Sequence, residues 1–452
     1  MQHRLSYRQH ARAVMGLGLP LVGSHVAQFA ITLTDALMLG WYSVEALAAE
    51  VLGGTMFFVV FIMGSGFAWA VMPMVASAEA SGEGAQVRRI TRMGLWASVL
   101  FGLVTLPLML GSETVFGALG QAPATSALGA DYLIIAGWGI LPALMVMVLK
   151  SYLAALERTA VVLWITLAAV AMNIVVNYLL IFGNLGFPEL GVRGAAVASL
   201  SVHIGSLLAL MVYVRLVAPE HALFTRLWRP DWEALGRVFR LGWPIGMTNL
   251  AEVGLFAAAS VMMGWLGTLP LAAHGIAMQV TSVVFMVHVG LSNAATVRAG
   301  QAYGRGDGQG LRDGARVVLG LSGAVALVTM ILLLTVPEPM IGLFLDPGDP
   351  DRAAVIEIGR GLLAAAALFQ LLDAAQVMAL GLLRGVQDTR VPMVIAALSY
   401  WAVGVPVSYV LGFTLGYGGA GIWLGLAAGL ALAGVFMLLR FWGWSARGVS
   451  PA

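Results

Sequence analysis

The sequence predicts an all-α polytopic membrane protein with twelve transmembrane helices in two six-helix pseudo-symmetric lobes. Three observations lead there: a composition too poor in charge for water, twelve apolar stretches of spanning length, and an internal repeat that halves the chain. Of 452 residues, 60% are hydrophobic and 10% charged, whereas a soluble domain carries roughly 25% charged residues. Crossing a hydrocarbon core takes about 20 apolar residues in a helix. The runs are continuous rather than short and alternating, which excludes a barrel.

In chain order, the first span, 13–40, follows Arg4, Arg8 and Arg12. It is too long for a signal-peptide core and reads as an uncleaved helix. Pro20 interrupts it and should bend it; Gln28 and Asp35 lie two turns apart on one face. The second, 46–78, carries Glu50 near its outer end; 93–111 and 127–149 follow, with Lys150 at the inner end. The fifth, 160–182, holds Asn173 and Asn177 four apart on one face, and 194–216 closes the first lobe. A polar stretch, 217–237, is the natural cytoplasmic linker between lobes 1–216 and 238–452. The second lobe runs 238–266 (Pro244, Glu252), 270–302, 315–336, 353–383 (Asp373), 391–412 and 418–441. Pro244 should bend its helix as Pro20 does.

With both termini taken as cytoplasmic, 21 of the 24 Lys and Arg fall in inner segments, the alternation expected of twelve spans. The formal charge of +2 therefore describes orientation, and no basic domain for nucleic acid is present. Cysteine is absent, so disulfides are excluded.

Shifted by 224 residues, Leu17-Gly18-Leu19-Pro20 lies on Leu241-Gly242-Trp243-Pro244, and Met38-Leu39-Gly40-Trp41 on Met262-Met263-Gly264-Trp265. The register holds through the next helix into the loop, where Gly82-Glu83-Gly84 meets Gly306-Asp307-Gly308. Six helices per half make the repeats parallel, with a cavity expected between lobes.

An ionised side chain at mid-membrane costs about 2.5–3.5 kcal/mol on insertion scales. Asp35, Glu252 and Asp373 all fall there, while Lys150, Arg298 and Arg384 lie near inner helix ends and are expected to snorkel. Acids so placed bind a proton or hold a cation, or else serve as protonated hydrogen-bonding groups between helices. Asn173 and Asn177 could be helix–helix glue; beside Asp35 they read better as part of a site. His25, His203, His274 and His288 show no metal-ligand spacing. No nucleophile elbow, metalloprotease pair or phosphate loop occurs, so no enzyme is expected.

Taken in order, these residues resemble the multidrug and toxic compound extrusion family. The carriers are Leu19-Pro20 through Asp35 and Met38-x-Gly40, then Asn173-x-x-x-Asn177-Tyr178, Leu190-Gly191-Val192-x-Gly194-Ala195, Ala251-Glu252-x-x-x-Phe256 and Ala272-Ala273-His274. Asp373, followed by Gly385-x-x-Asp388-Thr389, completes the pattern. An acid at position 252 favours the NorM-like branch over the DinF-like branch. The resemblance implies a monomeric antiporter of the bacterial inner membrane that exports organic cations in exchange for H⁺ or Na⁺, without a bound cofactor. It assigns Asp35, Asn173, Asn177 and Gln28 to an amino-lobe site, and Glu252 with Asp373 to a carboxyl-lobe cation site where Na⁺ could bind. Where some Na⁺-driven members have tyrosine one turn before the last acid, this chain has Phe369, which tilts the reading towards protons. A lipid-intermediate flippase is the alternative; it would need basic side chains for a pyrophosphate.

Overall fold

The computed structural model describes residues 6–345, 347–348 and 350–445; Arg4 and Arg447 lie outside them. Among the described residues, twelve helices are long and apolar enough to cross a membrane. They are α1 (Tyr7–Tyr42), α2 (Val44–Ala80), α3 (Gly84–Leu110), α4 (Pro123–Ala155), α5 (Thr159–Phe182) and α6 (Val192–Val217). The second six are α7 (Trp232–Leu266), α8 (Thr268–Gly304), α9 (Gly308–Thr335), α10 (Arg352–Gly385), α11 (Arg390–Thr414) and α12 (Gly418–Gly443).

Helix boundaries reflect capping chemistry as well as hydropathy. Ser43 accepts from Ala46 N at 3.0 Å and starts α2; Asp307 accepts from Gly310 N at 2.8 Å and starts α9. Asp231 does the same for α7 through Ala234 N at 3.0 Å. Helix α3 begins nine residues before the expected 93, at Gly84. Its inner turns carry Arg88, Arg89 and Arg92, which an apolar window leaves out; they are helical, and Arg89 and Arg92 bind the linker.

That linker is not a loose connector. Arg92 donates from Nε to Leu223 O at 2.7 Å and from Nη2 to Ala222 O at 2.8 Å, while Trp96 Nε1 donates to Leu227 O at 2.7 Å. Arg89 grips Asp231 through two nitrogens and reaches Glu233 at 2.9 Å. The guanidinium holds the Asp231 carboxyl below the usual carboxylate range. His221, buried, shares a 2.5 Å hydrogen bond with the Tyr152 hydroxyl.

Packing forms two compact units, divided within helices rather than at the linker. One is Gly23–Gly246; the other joins the described residues before Gly23 to those from Met247 onward. Repeat-related glycines show why. A Cβ on Gly66 of α2 would stand 2.4 Å from Gly242 O, so the inner half of α7 lies directly against α2. A Cβ on Gly290 of α8 would stand 2.6 Å from Val22 N, so the inner half of α1 lies against α8 in the same way. Val22 comes two residues after Pro20 and Gly242 two residues before Pro244, and each helix continues through its proline without interruption.

Candidate ion and substrate sites

Helix α5 shows how the first site is made. Its buried residues, Thr159, Val162, Thr166, Ala169, Asn173, Asn177 and Ile181, recur every three to four positions and form one stripe. The opposite face is apolar and exposed, as at Trp164 and Val175. Polar groups thus point into the protein and apolar groups away, the arrangement that lipid selects. Against this stripe lies α1, whose own buried stripe steps through Ser24, Ala27, Ile31 and Asp35.

Asp35 accepts at Oδ1 from Asn173 Nδ2 (2.9 Å) and Asn177 Nδ2 (2.5 Å), and at Oδ2 from Ser199 Oγ of α6 (3.3 Å). Both asparagines are wholly buried, and their Oδ1 atoms have no donor. Sequence spacing had joined Asp35 to the two amides, and the structure does so. Ser199 was not foreseen, because one serine in an apolar helix carries no signal. Glu50, expected near an outer end, is 7% exposed and close enough for its charge to act on Asp35. Gln28 is different: it is exposed and makes no hydrogen bond among the described residues. Ala27 takes the buried position on that turn.

The second unit carries its own acids. Glu252 of α7 and Asp373 of α10 are buried, and their charges act directly on each other. Both oxygens of Asp373 and Oε1 of Glu252 have no hydrogen-bond donor. Two glutamines one turn either side of Asp373 behave likewise. Gln370 gives its Nε2 to Thr281 O at 3.2 Å, and Gln376 gives its Nε2 to the Tyr400 hydroxyl at 2.6 Å. Their Oε1 atoms are left buried without donors. Tyr400 sits in a π-helical turn, Leu398–Gly404, a local distortion that recurs at functional sites. Phe369 offers no oxygen; it packs edge-on against Phe256 (5.9 Å between centroids) and Trp423 (5.3 Å). Buried acceptors without donors cost free energy unless a proton or cation satisfies them.

Two basic side chains depart from the expected snorkelling. Arg384 is 8% exposed and donates to Asn249 Oδ1 at 2.9 Å, one turn from Glu252, on which its charge acts. Lys150 turns inward and donates to Thr166 Oγ1 at 3.0 Å. In both cases a buried side-chain oxygen on a neighbouring helix stands within reach; Arg384 is buried against it, and Lys150 remains half-buried. His274 is locked neutral: Trp423 Nε1 donates to its Nδ1 (3.1 Å), so Nε2 carries the proton and donates to Ser260 Oγ (3.0 Å).

A sequence profile of the MatE family matches residues 20–179 and 244–410. A "Probable multidrug resistance protein NorM" of Rhizobium meliloti is 45% identical over 438 residues, covering 96% of this chain and 94% of the relative. The protein of the same description from Agrobacterium fabrum is 44% identical over the same shares. Among solved structures, the eukaryotic MATE transporter AtDTX14 superposes with a TM-score of 0.87 at 16% identity, covering 98% of each chain. A MOP superfamily transporter from Pyrococcus furiosus gives 0.86 at 18% identity, covering 97% of this chain and 96% of its own. At such identities these structures speak for the fold alone.

Proposed function

The chain belongs to the multidrug and toxic compound extrusion (MatE) family, and from that premise we propose that it exports organic cations by alternating access, in exchange for H⁺ or Na⁺. We place it in a bacterial inner membrane with both termini cytoplasmic. It acts as a carrier and breaks no bond of its cargo. The observation that carries the reading is Asp373, buried in a spanning helix beside Glu252 with neither oxygen given a donor. Such a group is satisfied by taking up a small cation and is ready to exchange it.

In each unit the chemistry is competition for a carboxylate. Asp35 accepts from three donors, and when it is ionised an organic cation can share its charge. A proton arriving there removes the charge and releases the cargo. Since each ligand disfavours the other, the inward ion gradient drives the outward cargo. Acids of this kind, rather than clustered basic groups, support a cationic cargo over a pyrophosphate-linked lipid.

Phe369 supports protons as the coupling ion. The unsatisfied oxygens of Gln370 and Gln376 favour a second reading, since Na⁺ prefers several oxygen ligands. Proteoliposomes loaded with ethidium decide between them. Export should follow an imposed pH gradient and fall to the protein-free rate without any gradient. With pH clamped equal by an ionophore, export on a Na⁺ gradient alone, lost in Glu252→Gln and Asp373→Asn, would establish sodium instead. Equal export with no gradient of either ion would overturn coupled transport altogether.

A further inference from the structure

Between Ala222 and Gly246 the chain has two acids, Asp231 and Glu233, and both are held by Arg89. Of the arginines in that stretch, Arg237 donates to Gln86 Oε1 at 2.9 Å. The side chains of Arg226, Arg229 and Arg240 are exposed and make no hydrogen bond or ion pair among the described residues. The backbone that carries the first two is nonetheless fixed. Its carbonyls at 222, 223 and 227 accept from Arg92 and Trp96 of α3, and Arg229 N donates to Arg226 O at 3.1 Å. Arg226 is held at φ 56°, a left-handed conformation that costs free energy for any residue with a Cβ. Helix α3 thus imposes one shape on the turn, and that shape presents guanidiniums to the outside.

Aromatic rings accompany these charges. Trp228 and Trp232 are 76% and 70% exposed. Along α7, Trp232, Phe239 and Trp243 recur at intervals of seven and four residues, which keeps them on one face. Phe239 stacks on Trp243 (6.1 Å between centroids) and on Phe67 of α2 (5.4 Å), yet both α7 rings stay exposed. Arg240 lies eight residues up the helix from Trp232, a rise of about 12 Å, and can snorkel back towards the turn. We propose that this face of the Gly23–Gly246 unit binds an anionic phospholipid, its phosphate held by Arg226 and Arg229 and its acyl chains laid along Phe239 and Trp243. Guanidinium forks match a phosphodiester, and Arg240 adds charge from the helix. A zwitterionic lipid lacks the net charge to complement three such groups, and a free phosphate lacks the chains to cover the rings. The inference goes beyond the export reading and does not depend on it.

Thermal unfolding of the full-length protein in detergent is followed while dioleoyl phosphatidylglycerol, dioleoyl phosphatidylcholine or inorganic phosphate is added. Phosphatidylglycerol should raise the midpoint of wild type to a plateau, and the other two should leave it in place. The triple variant Arg226→Gln, Arg229→Gln and Arg240→Gln should keep the wild-type midpoint in detergent alone, because these side chains hold nothing else in the protein. It should need about tenfold more phosphatidylglycerol, or still more, for half the rise. A control triple variant, Arg8→Gln, Arg12→Gln and Arg215→Gln, removes the same charge from exposed positions at other helix ends on the linker's side. It should stay within about twofold of wild type. Equal loss in both triple variants would assign the effect to the diffuse field of that side and overturn the site. A rise with phosphate alone would make it a site for soluble anions, and an equal rise with both lipids would leave the arginines without a role; either result overturns the proposal. If the first triple variant does not insert, Arg226→Gln with Arg229→Gln, and a count by native mass spectrometry of the phosphatidylglycerol retained, give the same comparison.

Discussion

Replacing Asp35 by asparagine keeps the shape of the side chain and removes its charge, while Asn173, Asn177 and Ser199 stay in place to bond it. Asp35→Asn should therefore insert and remain monodisperse, yet lose ethidium export almost completely. Near-wild-type efflux from that variant would remove Asp35 from the mechanism. The residue was legible in the sequence because an acid deep in an apolar run costs so much that it must have a use. Asn173 and Asn177 were legible through their four-residue spacing, which survives any small error in helix ends. Gln28 was not, since its spacing from Asp35 could not tell which residue of that turn the neighbouring helices would cover. Arg384 and Lys150 were misread for a related reason. Distance from a helix end permits a long side chain to snorkel, but only the oxygens facing it, Asn249 Oδ1 and Thr166 Oγ1, decide that it turns inward.

At the scale of elements, the docking of the linker onto α3 is tied to pH through Asp231. Its carboxyl titrates lower in the folded protein than in the unfolded chain, where the value is about 3.9. The stabilisation is therefore fully present above that pH and is lost as pH falls through the folded value. Both members keep some water contact, with side chains 33% and 25% exposed, so the ion pair contributes about 0.5–1 kcal/mol. Asn caps a helix as well as Asp does, which lets Asp231→Asn isolate the charge. Thermal unfolding in detergent should find this variant less stable than wild type at pH 7, with the difference shrinking as pH falls below about 3.9 and gone once the folded carboxyl is protonated. A difference that persists into acid would assign the effect to something other than the ion pair. The sequence showed this stretch as polar and Pro-bounded, hence as a connector. Its attachment was hidden because the contacts run from side chains of α3 to backbone carbonyls at 222, 223 and 227, and carbonyls leave no mark on residue identity.

For the whole molecule, the 224-residue repeat announced twelve helices and their pairing into halves, but not where packing would divide them. Gly66 and Gly290, an aligned pair, are two of the glycines at which backbones approach most closely inside the units. Gly66→Ala and Gly290→Ala should each destabilise the folded protein by about 1–3 kcal/mol, because the new methyl meets backbone that cannot yield. Gly323→Ala on α9, where the added atom meets nothing within 4 Å, should be neutral or slightly stabilising in the same thermal measurement. Similar loss at all three positions would assign the effect to helix distortion rather than to close approach. The placement of Val22 against Gly290 also sets a timetable for synthesis. The amino-terminal stretch leaves the ribosome first, yet the surface it rests on lies about 270 residues further along. At roughly 5–20 residues per second, the nascent chain waits on the order of 15–50 s before that surface exists. Throughout that interval the insertion machinery or the surrounding lipid must shield the face of the first helix around Val22.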